Sequence, residues 1–308
     1  MSRRGGGEQG FVGWGTAGGV PYLASGKAPG EGLRLRKRLG QHLLTDQSVL
    51  AQVVQAAELG HTDTIIEVGS GLGVLTKELA LRAGRVIAVE LDQRLALALR
   101  RSLAAFSNVE IVQGDILKLP PCLLLTPERL AGVQRPLPSY KVVANLPYYI
   151  TSPVLRHFLE EPPRPRLMAV MVQAEVAERI VATPGQMGLL SVAVQFYGHP
   201  TLLARVPASS FTPPPKVESA ILRIDVYPEP PVSVPEALFF PVVRAGFASR
   251  RKQLRNALSH ALDISPTAAQ TLLVEAGIAT QRRAQTLSLE EWATLARSYH
   301  RWRAGSEG

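Results

Sequence analysis

The chain has 308 residues, 46% of them hydrophobic and 19% charged, which is enough for one large domain and a smaller one around a real core. Its formal net charge of +9 favours a polyanionic partner, nucleic acid before an anionic membrane surface. The single cysteine, Cys122, excludes an intramolecular disulfide framework and a multi-cysteine metal site and fits a reducing cytoplasm, and no run approaches the roughly 18 consecutive apolar residues of a membrane span.

Residues 1–32 read as a disordered extension, because glycines follow Arg3 and Arg4 where a secretory signal would carry a compact apolar core. Order is expected from Leu33. A basic run, Arg34, Arg36, Lys37 and Arg38, leads to Gly40-Gln41-His42-Leu43-Leu44. Thr45 or Asp46 then caps a helix whose apolar positions Val49, Leu50, Val53, Val54 and Ala57 share a face. Strands are expected at Thr64–Val68, Arg85–Glu90, Val109–Gln113 and Tyr140–Ala144, with helices Val74–Arg82 and Asp92–Phe106 between the first three. Such alternation argues for an α/β fold with a parallel sheet covered on both faces. Leu119 to Ser139 reads as a loop. Further strands are expected at Leu167–Val172, Leu190–Tyr197, Leu202–Val206 and Val217–Ile224. Pro228, Pro230, Pro231 and Pro235 break the pattern, and helices follow at Pro235–Phe247, Arg250–Leu262, Pro266–Ala276 and Leu289–Arg303. The expected organisation is therefore an extension over 1–32, an α/β domain over 33–230 and a small all-α domain over 231–308.

Glu67-Val68-Gly69-Ser70-Gly71-Leu72-Gly73 lies between a strand and a helix, where glycine lets the backbone turn tightly and approach a ligand. Glu90 ends the next strand, about 20 residues on, where a carboxylate accepts from ribose hydroxyls. Asp115 ends the third, placed to accept from an adenine amino group. All three lie at the carboxyl ends of strands, where open α/β sheets bind ligands. Residue 74 is valine, so the spacing departs from the G-x-G-x-x-G dinucleotide pattern and tilts the cofactor from NAD toward S-adenosylmethionine.

Asn145-Leu146-Pro147-Tyr148 follows the fourth strand on the same edge. This tetrapeptide resembles the catalytic signature of the adenine-N6 methyltransferases. Lys37-Arg38-Leu39-Gly40-Gln41-His42-Leu43-Leu44 resembles the opening motif of one family among them, the ribosomal RNA adenine dimethyltransferases. Phe211-Thr212-Pro213-Pro214-Pro215-Lys216-Val217-Glu218-Ser219-Ala220 and Arg250-Arg251-Lys252-Gln253-Leu254-Arg255-Asn256 resemble its later motifs, in the right order from Leu35 to Trp302. The resemblance implies a Rossmann-like S-adenosylmethionine-dependent methyltransferase domain with a small C-terminal all-α domain. It implies conversion of two adjacent adenines of small-subunit (16S) ribosomal RNA, near its 3′ end, to N6,N6-dimethyladenosine. It further implies that His42, Leu44, Gly69, Gly71, Glu90, Asp115 and Asn145 line the cofactor. Three positions depart from the family pattern: His42 stands where asparagine is frequent, Ser70 where proline is common, and Ala174 where lysine is frequent.

The chemistry suits these residues. The adenine N6 lone pair is delocalised into the ring and is a poor nucleophile. Accepting its two amino hydrogens on the Asn145 side-chain oxygen and a carbonyl near Leu146 pushes the nitrogen toward tetrahedral geometry. Pro147 removes a donor and fixes the backbone. Tyr148 stacks on a flipped base, with Phe211 as a second face, and the ring rather than the hydroxyl is expected to do the holding. Arg36, Lys37 and Arg38, and Arg250, Arg251, Lys252 and Arg255, form two basic clusters suited to RNA phosphates. No metal site is expected. The expected partner is small-subunit ribosomal RNA within a pre-ribosomal particle, with no membrane and no DNA, for a cytoplasmic monomer. The alternatives are a large-subunit RNA methyltransferase that confers antibiotic resistance, a non-catalytic ribosome-assembly factor and, weakest, an NAD dehydrogenase.

Overall fold

The computed structural model describes residues 42–126, 137–249 and 251–306. Arg34, Arg36, Lys37, Arg38 and Arg250, and the extension expected over 1–32, lie outside the described residues.

Short β-branched runs form the sheet. β2 (Thr64–Val68), β3 (Arg85–Glu90), β4 (Val109–Gln113), β5 (Tyr140–Asn145) and β6 (Leu167–Gln173) are parallel. β9 (Ser219–Val226) enters antiparallel between β6 and β7 (Gly198–Val206), giving the order β4-β3-β2-β5-β6-β9-β7. The chain steps outward from β2 to β4, then returns to lay β5 on the other side of β2. The switch point thus falls between β2 and β5, and in such sheets the crevice beyond the carboxyl ends there takes the ligand.

Because side chains alternate along a strand, the sheet feeds two cores. Ile65, Val143, Ala169 and Met171 meet Val49, Leu50 and Val53 of α1 (Gln47–Ala56) and Leu75 and Leu79 of α2 (Val74–Ala80). Asp46 caps α1 by accepting from the Ser48 and Val49 amides. On the other face, Ile66, Val142, Met168 and Val170 meet α5 (Thr151–Glu160), α6 (Ala174–Ile180) and α7 (Leu189–Tyr197). α3 (Gln93–Ser102) flanks β3 and β4, and the expected loop after Leu119 holds a short helix, α4 (Pro121–Leu125).

α7 corrects the sequence reading, which placed a strand at Leu190–Tyr197. Its near-continuous apolar, β-branched run carries no clear period. The helix touches α5, α6, β7 and α8 (Glu236–Phe247), and it buries Val192, Val194, Phe196 and Tyr197, almost all round its axis.

Among the described residues the elements after β9 are helical: α8, then α9 (Leu254–Ala261), α10 (Pro266–Glu275) and α11 (Leu289–Ser306). Phe239, Val242, Leu254, Leu272 and Trp292 from these helices continue the core that lies under α7. The Phe196 and Phe239 rings pack tilted with centroids 4.6 Å apart, and Glu236 accepts from the Tyr197 hydroxyl at 2.9 Å while pairing with Arg164. α9 is shorter than the expected Arg250–Leu262. Arg251 and Lys252 sit in the turn before it, with Gln253 at its cap.

Candidate active site

The turn after β2 needs its glycines. Gly69, Gly71 and Gly73 have φ of +72°, +58° and +79°, where any L side chain is strained. At Gly73 an added Cβ would also lie 2.7 Å from Leu99 Cδ2 of α3. Glu90, the last residue of β3, holds this turn open: its Oε2 accepts from the Gly71 amide and its Oε1 from the Asp92 amide, both at 2.9 Å. Each oxygen keeps a lone pair for a further donor. Asp115, just beyond β4, accepts from the Leu117 amide at 3.1 Å and caps a 3-10 turn over Ile116–Lys118.

Asn145 ends β5 beside the same crevice. Leu146 is buried and its amide donates to the Met171 carbonyl at 3.1 Å. The Ile150 amide donates to the Pro147 carbonyl at 3.1 Å, closing a 3-10 turn over Tyr148–Ile150. A Cβ on Gly69 would stand 3.5 Å from Pro147 Cδ, so the glycine turn and the Asn145–Tyr148 turn lie side by side.

A third piece closes the crevice. β1 (Leu43–Leu44) pairs with β8 (Phe211–Thr212), Leu44 opposite Phe211. The Thr45 amide donates to the Ser210 carbonyl at 2.9 Å, and the Ser210 hydroxyl donates to Asp46 Oδ2 at 2.9 Å. His42 Nδ1 donates to the Pro213 carbonyl at 2.7 Å. The His42 carbonyl accepts from Asn145 Nδ2 at 3.4 Å, and the His42 ring stacks on Tyr148 with centroids 6.0 Å apart and planes at 28°. Two motifs some 170 residues apart thereby meet at Asn145 and Tyr148.

These three pieces enclose a cleft of about 240 Å³. His42, Leu44, Gly69, Gly71, Glu90, Asp115, Asn145, Leu146, Pro147, Tyr148 and Phe211 all line it. Arg251, Lys252 and Arg255 do not: the first two are exposed, and the third is partly exposed on the first turn of α9. Among the described residues, no helix is long and apolar enough to cross a membrane.

A family model for ribosomal RNA adenine dimethylases matches residues 32–301. The chain belongs to that family. Its enzymes transfer methyl groups. The family member is 51% identical to the ribosomal RNA small subunit methyltransferase A of Dehalococcoides mccartyi, over 92% of this chain and 96% of that one. It is 45% identical to the protein of the same name from Moorella thermoacetica, over 87% and 93%. Among solved structures it is similar to the 23S rRNA methyltransferase ErmE, with a TM-score of 0.63 and 27% identity over 83% of this chain and 98% of that one. A dimethyladenosine transferase from Plasmodium falciparum shares the fold, with a TM-score of 0.69 and 22% identity over 84% and 98%.

Among the lining residues of this dimethylase's cleft to which the sequence reading assigned no role are two polar ones, Tyr149 and Glu67. Tyr149 is 57% exposed at the cleft mouth. Glu67 is buried within β2, and its carboxylate accepts from the Thr76 hydroxyl at 2.6 Å. Burial pushes the Glu67 carboxyl up to about 7, against the opposing pull of Thr76 and Ser70. A charged residue inside an otherwise apolar strand was the available signal. Because the native state holds this proton where the unfolded chain has released it, Glu67 costs stability as pH rises from 4.5 toward 7. Glu67→Gln should flatten that part of the curve, measured as unfolding midpoint against pH; an unchanged slope between those limits would show that Glu67 ionises normally.

Proposed function

We propose that the protein transfers methyl groups from S-adenosylmethionine to N6 of two adjacent adenines near the 3′ end of small-subunit (16S) ribosomal RNA, giving N6,N6-dimethyladenosine. The observation that carries this reading is the side-by-side placement of the glycine turn and the Asn145–Tyr148 turn in one cleft at the sheet's switch point.

The cleft suits the cofactor. Two side-chain-free positions at positive φ, Gly69 and Gly71, let a ligand lie against the backbone, Glu90 and Asp115 offer carboxylates on neighbouring strand ends, and His42, Leu44 and Asn145 close the other side. When bound, the cofactor supplies an electrophilic sulfonium methyl group. The chain's own part is to hold the acceptor. The bond from Asn145 Nδ2 to His42 leaves Asn145 Oδ1 to accept an amino hydrogen. The second acceptor is the Leu146 carbonyl, beside a Pro147 carbonyl that already accepts from the Ile150 amide. Tyr148 supplies a stacking face for a flipped base, and Phe211, buried in the cleft wall, stands on the β8 side. No strong base is needed, because the nitrogen becomes acidic on methylation, and positioning carries the rate.

High identity to two small subunit methyltransferases, against 27% to a 23S enzyme, favours the small subunit over the large one. The substrate is ribosomal RNA within a pre-ribosomal particle, and the protein acts as a cytoplasmic monomer with a role in small-subunit maturation. Mass spectrometry of ribosomal RNA nucleosides, separated by subunit, tests this: deletion of the gene should remove dimethyladenosine from the small subunit. Loss from the large subunit alone would favour the resistance-type enzyme, and no change in either would leave only an assembly role.

Two variants probe the binding surfaces. Glu90→Ala removes the brace on the Gly71 amide as well as a ribose acceptor, and should weaken S-adenosylmethionine binding by about 1–3 kcal/mol in calorimetry. Unchanged affinity would remove Glu90 from the site. Arg251, Lys252 and Arg255 changed together to alanine should lower the slope of log RNA affinity against log salt by about 2, with cofactor affinity intact. A slope that stays put would exclude this turn as a phosphate contact.

A further inference from the structure

The Tyr148 hydroxyl has a partner that the sequence reading did not give it. It lies 2.7 Å from the Ser219 hydroxyl, and Ser219 is fully buried at the first residue of β9. Ser219 is fixed by its backbone on both sides, opposite Gln173 of β6 and Val206 of β7. Tyr148 leaves the end of β5, so its side chain crosses the carboxyl end of β6 to reach β9. The ring is held twice, at its tip by Ser219 and on one face by His42, which is itself tied to the Pro213 carbonyl. Two torsions orient a tyrosine ring, and these contacts restrain both. The phenol is also an unsuitable base: burial pushes it up from its ordinary value, and only the Ser219 bond pulls it down.

We infer that Ser219 is a positioning residue of the methyl-transfer reaction: its bond to the Tyr148 hydroxyl sets the ring plane against which the target adenine stacks. This rests on the adenine-methylating reading above. A fixed wall matters most after the first transfer, when a bulkier monomethylated base with one remaining amino hydrogen must be held again in reactive geometry. Ser219 therefore acts on capture of the base and on the second transfer, and leaves the cofactor untouched.

The test is a double-mutant cycle with Ser219→Ala, Tyr148→Phe and the double variant, each assayed on purified unmethylated small-subunit particles. Tyr148→Phe cuts the same bond from the half-buried end, so a folding defect in Ser219→Ala does not end the experiment. Each single change should raise KM for the particle, and slow the mono- to dimethyladenosine step, by about two- to tenfold, as for one lost neutral hydrogen bond. The double variant should be no worse than either single one, Ser219→Cys should recover part of the loss, and calorimetric affinity for S-adenosylmethionine should be unchanged in all. Multiplying effects in the double variant, or wild-type kinetics in Ser219→Ala, would overturn the assignment. A wild-type enzyme that methylates no small-subunit particle would instead sink the proposed function.

Discussion

Replacing Asn145 by alanine should slow the first methyl transfer by about 10²–10³-fold, the loss seen when one preorganised polar group is removed from a reacting centre. On the proposed mechanism the first transfer has two amino hydrogens to hold, one on Asn145 Oδ1 and one on the Leu146 carbonyl. The side-chain amide is already oriented by its donation to the His42 carbonyl at 3.4 Å, so that preorganisation exists without substrate. The second transfer has one hydrogen to hold, so Asn145→Ala should show a different ratio of the two rates from wild type. A time course that resolves mono- and dimethyladenosine reads both. Near-normal first-step rates would refute the lone-pair argument, whereas equal slowing of both steps with a raised KM would point to base binding instead. Because Asn145 also touches the segment carrying His42, cofactor affinity should be measured alongside, and a large drop there would assign the defect to a displaced β1.

The elements that proved legible are those with a strong period or clear punctuation. β2, β3 and β4 fall on the expected residues because each is a short β-branched run bounded by turn signals. That Gly69, Gly71, Glu90 and Asp115 share one cleft follows for a related reason: glycines at fixed spacing and carboxylates at strand ends are local signatures, and the sheet order then brings them together. α7 was not legible, since its helical face is hidden in a run that is apolar all round. α5 and α6, also absent from the reading, follow directly on a 3-10 turn and on β6, without the loop that usually marks a start. The contact between His42 and Pro213 spans 171 residues, and the Tyr148–Ser219 bond spans 71, so neither had a sequence signal beyond co-occurrence of motifs. Glu67 and Lys141 were missed because they are charged residues in fully buried strand positions, where pattern reading assigns only apolar roles.

Lys141 leads to the second large effect: Asp63→Ala should destabilise the fold by about 3–5 kcal/mol, the cost of leaving a buried charge without its counter-ion. Lys141 lies on β5 with its side chain 2% exposed, and its ammonium donates to Asp63 Oδ2 at 2.9 Å, to the Ala57 carbonyl at 2.8 Å and to the Glu58 carbonyl. Asp63 also accepts from the Gly60 amide and from Arg166, both at 2.8 Å. Burial alone would raise the Asp63 carboxyl, but the bonds from Lys141 and Gly60 outweigh it and hold the group below 3.8. With the folded value depressed, this contribution is present above 3.8 and is lost as pH falls toward the folded value, the reverse of Glu67. Asp63→Ala should therefore lower the denaturant midpoint at pH 7 and lack that part of the acid limb. Lys141→Met in the same chain should recover part of the loss, because it removes the stranded charge. Lys141 lies near the amino end of β5 and Asp63 just before β2, four residues from Asn145 and five from Val68, so both are about 13 Å or more along the strands from the carboxyl ends that carry the cleft. Cofactor affinity of the folded Asp63→Ala protein should match wild type. A midpoint shift of under about 1 kcal/mol would mean that the Lys141 ammonium finds water or another partner when Asp63 is gone, and that the pair does not staple these strands together.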